Sequence, residues 1–297
     1  MTKKWVNVLC HGILSMCLVL ISSAAFAEIE SDLSEATQST IPPPKLKVSS
    51  WLLMDASTGL TLAAQRADTP VEPASLTKLM TAYVVFREIE RGTVKLDDVV
   101  LVSEKAWRSE GSRMFIEAGD KVQIKNLLMG LIVQSGNDSA VALAEHIAGS
   151  EEGFVDLMNQ TAAELGMANS HFVNSAGMPH PDHYTTARDV TLLTRAIIDQ
   201  QPDHYAMYAI REFTWNDITQ KNRNPLLGRD SSIDGVKTGH TRSAGYCLVG
   251  SAERDGSRLI GTVIGAKSNR ERADAVYSLL RFGFAAYEHH DLYPAGQ

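Results

Sequence analysis

The chain reads as an α+β protein with one antiparallel sheet built from both chain ends, flanked by helices, and a mainly helical inserted region. Three observations carry this. Short β-like runs stand near the start, in "SSWLLMDASTGLTLAAQRAD", and again near the end, in "GVKTGHT", "AGYCLVGSAE" and "SRLIGTVIGA". Between about residues 120 and 210, apolar residues recur at i, i+3 and i+4. No internal repeat separates the two regions.

In chain order, the first segment is a targeting signal. Lys3 and Lys4 precede an apolar run over 6–21, and Ala25-Phe26-Ala27 closes it with the small residues a signal peptidase reads. Residues 1–27 are therefore expected to be removed and the rest exported to the periplasm or outer face of the cytoplasmic membrane; a retained anchor helix is the alternative. Cys17 lacks the small preceding residue that a lipid-modified leader needs. Residues 28–47 are polar, end in three prolines and a short basic run, and read as a flexible spacer. Residues 48–288 read as one catalytic domain and 289–297 as a tail.

Within that domain, two apolar runs around Asp55-Ala56-Ser57-Thr58-Gly59 predict a hairpin. "SLTKLMTAYVVFREIERG" predicts a helix with Pro73 upstream and Gly92 just past its end. "QIKNLLMGLIVQS", "DSAVALAEHIAG", "EEGFVDLMNQTAAELG" and "TARDVTLLTRAIID" predict four more helical stretches. The loop "MANSHFVNSAGMPHPDHYT" has no period of its own, and long loops of this kind are often functional. Arg254-Asp255-Gly256 predicts a tight turn between the last two strands, and "NRERADAVYSLLRFGFAAYE" a closing helix.

A net charge of −7 gives no general attraction to nucleic acid or anionic lipid, and loss of the leader lysines makes the remainder more acidic still. Two of the three cysteines leave with the leader; Cys247 alone remains, in an apolar run, and is read as buried filler.

Three short motifs carry chemistry. Ser75 and Lys78 form S-x-x-K at a helix start, where positions i and i+3 share a face. Serine needs a base to become a nucleophile, and a lysine made neutral by burial and a second cation supplies one. The bland alternative is a polar first turn on an ordinary amphipathic helix. Ser135-Gly136-Asn137 forms S-x-N between two helical stretches, where a helix stop and cap is the bland alternative. Lys237-Thr238-Gly239 puts a cation, a hydroxyl and a bare backbone on a late strand, so that substrate can lie against it. His180 and His183 read as loop histidines, and no metal or other cofactor is called for.

In this order the motifs are those of penicillin-binding proteins and class A β-lactamases. "EPASLTKLMTAYVV", "LIVQSGNDSAVALAEHIAGS", "NRNPLL" and "DGVKTGHTRSAGYCLVGSAERDG" closely resemble the low-molecular-mass D-alanyl-D-alanine carboxypeptidases of the penicillin-binding protein 5 and 6 type. The resemblance spans about residues 48–288 and implies the β-lactamase/DD-peptidase fold. It also implies a catalytic set of Ser75, Lys78, Ser135 and Asn137, and a substrate-binding set of Lys237, Thr238, Gly239, His240 and Arg223. Lys237 is then the second cation that lowers the pKa of Lys78, and the backbone N–H groups of Ser75 and His240 hold the oxyanion.

The implied partners are peptidoglycan stem peptides, with β-lactams as covalent inhibitors. The alternatives are a serine β-lactamase, an endopeptidase cutting cross-links, and a non-catalytic peptidoglycan binder. The E-x-x-L-N segment that carries the deacylating glutamate of class A β-lactamases is missing from "AELGMANSHFVNSAGM". Relatives of this type continue into a β-rich domain and a membrane-lying amphipathic helix. This chain stops at Gln297, as a shorter exported enzyme or an incomplete sequence, so membrane anchoring through such a C-terminal helix is not expected.

Overall fold

The structure, a computed structural model, describes residues 41–287. The expected leader, most of the spacer and the tail lie outside the described residues. A compact unit begins at Pro43, and the account below concerns that unit.

In chain order its elements are β1 (Ser50–Asp55), β2 (Thr61–Gln65), α1 (Thr77–Glu90), β3 (Val99–Leu101), β4 (Lys121–Gln123), α2 (Ile124–Met129), α3 (Asn137–Ala148), α4 (Glu151–Glu164) and α5 (Ala187–Gln200). Then follow β5 (Glu212–Trp215), β6 (Ile218–Lys221), β7 (Ile233–Thr241), β8 (Gly245–Arg254), β9 (Ser257–Ala266) and α6 (Asn269–Ala286). The main sheet has the order β2-β1-β9-β8-β7, and every neighbouring pair is antiparallel. The first strand pairs with the last, from Ser50 opposite Ile264 to Asp55 opposite Leu259, so both chain ends do build one sheet.

Alternation sorts the strand residues between two cores. Leu52, Met54, Ile260 and Ile264 pack toward the helical region, whereas Trp51, Leu53, Leu259 and Val263 pack with Val276, Leu279 and Leu280 of α6. Both faces are covered, which is why β1 is buried throughout. The hairpin turn is tied by Asp55, whose Oδ1 accepts hydrogen bonds from Ser57 Oγ, Thr58 N and Thr58 Oγ1. At the β8–β9 turn, Asp255 and Gly256 have φ of 49° and 80°, the left-handed pair a two-residue hairpin needs.

The first helix departs from the amphipathic pattern. Every residue of α1 from Thr77 to Phe86 is buried, so it is the central helix of the inserted region, enclosed on all sides. Lys78 is among them, and a lysine on a solvated helix face is thereby excluded. The segment before Ser135 begins as α2 and then widens into a π-helical turn, Gly130–Gln134, which ends with Ser135 itself at φ 65°. Two small two-stranded sheets, β3–β4 and β5–β6, lie outside the elements that the sequence predicts. Their strands are three or four residues long, too short to show a period. Among the described residues no helix is long and apolar enough to cross a membrane.

Leu279 is fully buried where α6 meets the sheet. Leu279→Ala is expected to lower the unfolding free energy by about 2–5 kcal/mol, read from urea denaturation.

Candidate active site

Ser75 lies in a single 3₁₀ turn, Ala74–Leu76, that runs directly into α1, and Lys78 is the second residue of that helix. The turn is clamped from two sides. Ala74 adopts φ 49°, a left-handed conformation that costs a residue with a side chain roughly 1–2 kcal/mol. Gly177, at φ 86°, lies so close that a Cβ there would fall 1.9 Å from Ala74 O. On the other side, a Cβ on Gly239 would meet Pro73 O and Leu76 Cγ at 3.2 Å and Ala74 Cβ at 3.3 Å.

A side chain on Gly239 would press on the Ser75 turn, so its absence admits that turn against β7.

Lys78 is 1% exposed, and its Nζ has three neighbours. Asn137 Oδ1 accepts from it at 2.6 Å, Ala176 O accepts at 2.5 Å, and Ser75 Oγ lies at 3.3 Å. A neutral amine has two N–H donors and one lone pair. When the amine is neutral, the two pure acceptors take its donors and a lone pair remains for the serine hydroxyl; when it is protonated, Nζ donates to Ser75 Oγ as well. Burial pushes the Lys78 pKa down to about 7; the Asp138 carboxylate opposes this, and the Arg223 guanidinium reinforces it.

The S-x-N turn delivers two side chains to one place. Ser135 in its left-handed conformation ends one helix, and Asn137 begins α3. Asn137 donates from Nδ2 to Glu110 O at 2.5 Å, so its amide orientation follows from the network around it. A Cβ on Gly136 would meet Asp138 Oδ1 and Ser139 Oγ at 2.7 Å, so only glycine fits between them. Asp138 is fully buried and accepts from the backbone N–H groups of Met114, Phe115, Ile116 and Ser139 at 2.9 to 3.4 Å, pinning the loop that carries Glu110.

Lys237 projects from β7 to the same turn, donating to Ser135 Oγ at 2.8 Å and to Thr238 O at 3.0 Å. Burial holds its pKa well below the ordinary lysine range, and the positive charges of Lys78, Arg223 and Arg272 add to this. Burial is the main cause for both amines, the Arg223 guanidinium lowers both further, and the two lysines repel one another's charge, as expected of a second cation beside Lys78. Titration of such a pair belongs to the pair as a whole.

The long loop does reach the site, through a backbone atom the sequence could not flag. Asn174 Oδ1 accepts from Ala176 N, Gly177 N and Met178 N at 2.7 to 3.2 Å and folds the loop into a tight turn. Glu151 holds Ser175 by its N at 3.0 Å and its Oγ at 2.7 Å, and Thr81 Oγ1 donates to Ser175 O at 2.6 Å. Ala176 O is thus presented to Lys78. An asparagine ahead of Ser-Ala-Gly was the available signal, since asparagine caps turns with its own side chain.

His183 is buried between Thr77 Oγ1 at 2.9 Å and Asn174 Nδ2 at 3.2 Å, and burial pushes its pKa down to about 4, so it is neutral. Among the described residues no three His, Cys, Asp or Glu side chains gather as metal ligands.

The remaining candidates lie on the open side. Thr238 is buried on β7 beside Lys237, and the exposed His240 packs its ring 4.1 Å from that of Tyr246. Arg223 is exposed and anchored by Nε donating to Gln134 O at 2.9 Å. The site therefore gathers a half-buried hydroxyl, an amine with its lone pair aimed at it, a second hydroxyl–amine pair, and an exposed guanidinium. This is the equipment of a serine acyl-transfer enzyme.

Comparison with known proteins places the chain within that class. The family model described as D-alanyl-D-alanine carboxypeptidase, peptidase family S11, matches residues 36–268, and the chain belongs to this family. It is 41% identical over 276 residues to the D-alanyl-D-alanine carboxypeptidase DacC of Escherichia coli, covering 91% of this chain and 69% of that protein. To DacD of the same organism it is 44% identical over 248 residues, covering 81% and 64%. The chain thus spans about two thirds of the length of these curated relatives. The crystal structure of penicillin binding protein 6B from Escherichia coli superposes with a TM-score of 0.83 at 42% identity, covering 87% of this chain and 83% of that one.

Gly177→Ala is expected to cost more than about 2 kcal/mol of stability, because the new Cβ meets backbone and the residue keeps a positive φ. The unfolding midpoint in urea measures it, with Gly166→Ala as the reference. Gly166 has φ 72° but nothing within 4 Å of its Cβ position, so the difference isolates the clash with the Ser75 turn.

Proposed function

We propose that this chain removes the terminal D-alanine from peptidoglycan pentapeptide stems through an acyl-enzyme on Ser75. The observation that carries the reading is the coordination of Lys78: two fixed acceptors occupy its N–H groups and leave the lone pair to Ser75 Oγ. Ser75 Oγ attacks the carbonyl between the two D-alanines as its proton passes to Lys78. The oxyanion sits between the N–H groups of Ser75 and His240, each such donor being worth about 3 kcal/mol. The C–N bond then breaks, Ser135 relays a proton to the departing amine with Lys237 behind it, and water hydrolyses the ester. Asn137 presents its amide to the peptide, and Lys237, Thr238 and Arg223 receive the terminal carboxylate. This answers how an acidic chain holds an anion: the positive groups are concentrated at one place.

The β-lactamase alternative fares worse on a specific ground. Rapid deacylation in class A enzymes uses a free glutamate. Here the carboxylates behind the site are engaged, Asp138 by four backbone N–H groups and Glu151 by Ser175 and Lys105. A β-lactam, as for the neighbour named a penicillin binding protein, is therefore a slowly released acylating agent. Cleavage of cross-links uses the same chemistry and is left to assay.

Incubation with pentapeptide muropeptides is expected to yield free D-alanine and tetrapeptide, and penicillin to add its mass to Ser75. An inert protein, or a Ser75→Ala variant that retains its activity, overturns the proposal. The pH profile of acylation tests the base. Protonated Lys78 has no lone pair, so the rate should fall roughly tenfold per pH unit below the pKa of about 7 and level off above it. Arg223→Gln removes a cation that lowers this pKa, so the limb should move to higher pH while KM rises about tenfold.

A further inference from the structure

We infer that Arg272, on the C-terminal helix and outside every motif of the site, positions and polarises the peptide group whose N–H receives the oxyanion. The inference rests on the proposed function, since it concerns the His240 N–H assigned there. Arg272 is 7% exposed, in the first turn of α6. Its Nε donates to Asn269 Oδ1 at 2.9 Å, and its Nη1 donates to Gly239 O at 2.9 Å and Cys247 O at 3.1 Å. None of these partners is a carboxylate. A buried guanidinium directed at two backbone carbonyls is costly unless those carbonyls need it.

The location gives the reason. Gly239 and Cys247 face each other across β7 and β8, and the register of β8 against β9 slips between Tyr246 and Leu248, taking Cys247 out of the regular ladder. Gly239 C=O and His240 N–H belong to one trans peptide and point in opposite directions. With the carbonyl drawn to Arg272, which also bonds Cys247 O of the neighbouring β8, the N–H faces the other way, toward the open edge that β7 gives the sheet.

A cation bonded to the carbonyl withdraws electron density across the amide and makes its N–H a stronger donor; linked hydrogen bonds strengthen one another by about 10–30%. The same guanidinium lies 5.4 Å from the centre of the Tyr246 ring, which packs on His240. Arg272 is thus a positioning residue: it touches no substrate and acts through the Gly239–His240 peptide.

The test uses the full chain and benzylpenicillin carrying a carbon-13 label at the β-lactam carbonyl. For Arg272→Gln we expect acylation of Ser75 to slow roughly tenfold with the preceding non-covalent affinity little changed. The ester carbonyl stretch of the acyl-enzyme should rise in the infrared, because a weaker donor polarises it less. Arg272→Lys, which keeps the charge without the planar fork, should fall between. Slower acylation with an unchanged carbonyl frequency marks a merely structural role and overturns the inference, as do an unchanged rate and frequency together. If melting shows that Arg272→Gln does not fold, Arg272→Lys decides by the same two readings. A wild-type protein that forms no Ser75 adduct refutes the proposed function itself; a normal adduct with indifferent Arg272 variants refutes only this inference.

Discussion

Everything in the site depends on keeping one amine dry. Lys78 sits inside the central helix of the inserted region, where water cannot stabilise its charge, and its two N–H donors are taken by acceptors from elsewhere in the chain. One acceptor is the side chain that opens α3, and the other is a carbonyl from the loop between α4 and α5. The hydroxyl that the lone pair faces comes from the turn ahead of α1. Three segments must agree to within tenths of an ångström, and the surrounding oddities secure that agreement. Gly177 and Gly239 let two backbones close on the Ser75 turn, Asp138 ties down the loop behind Asn137, and Asn174 folds the turn that offers Ala176 O.

Holding this amine neutral costs stability. A fall from the ordinary lysine value to about 7 corresponds to on the order of 5 kcal/mol at pH 7. The unfolded chain binds a proton that the folded chain does not between those two values. Stability from this group is therefore lost as pH falls from the unfolded pKa toward 7, and is flat below it. The extended cores on both faces of the sheet supply the surplus, and the one described cysteine is free and buried.

The charge distribution follows the same logic. A chain with net charge −7 gathers Lys78, Lys237, Arg223 and Arg272 close enough for their charges to act on one another. The buried carboxylate Asp138 is the counterweight, and it raises the pKa of Lys78 against the other terms. The charge that persists there is carried mainly by the guanidinium groups of Arg223 and Arg272, because burial disfavours the charged form of both lysines.

The parts legible in the sequence are those that short-range pattern encodes. The hairpin around Asp55, the turn at Asp255-Gly256, the helix after Pro73 and the strand character of both ends follow from periodicity and turn chemistry alone. The S-x-x-K, S-x-N and K-T-G residues could be singled out because side-chain type and spacing announce them. Ala176 could not, because it acts through a carbonyl every residue carries. Arg272 reads as one more arginine in "NRERAD", and nothing in "VKTGHT" says that a Cβ on Gly239 would press on the Ser75 turn.

By itself, then, the chain determined its long helices and strands, its antiparallel sheet from both ends and the spacing of its three polar motifs, because these depend on neighbours a few positions away. Only the tertiary structure decided their surroundings. Burial lowered the pKa of Lys78, the Asp138 carboxylate and the Arg223 guanidinium came to act on it from distant segments, and the Ser75 turn closed against Gly239. Those are properties of distance and dielectric, and they exist only once segments a hundred residues apart have closed on one another.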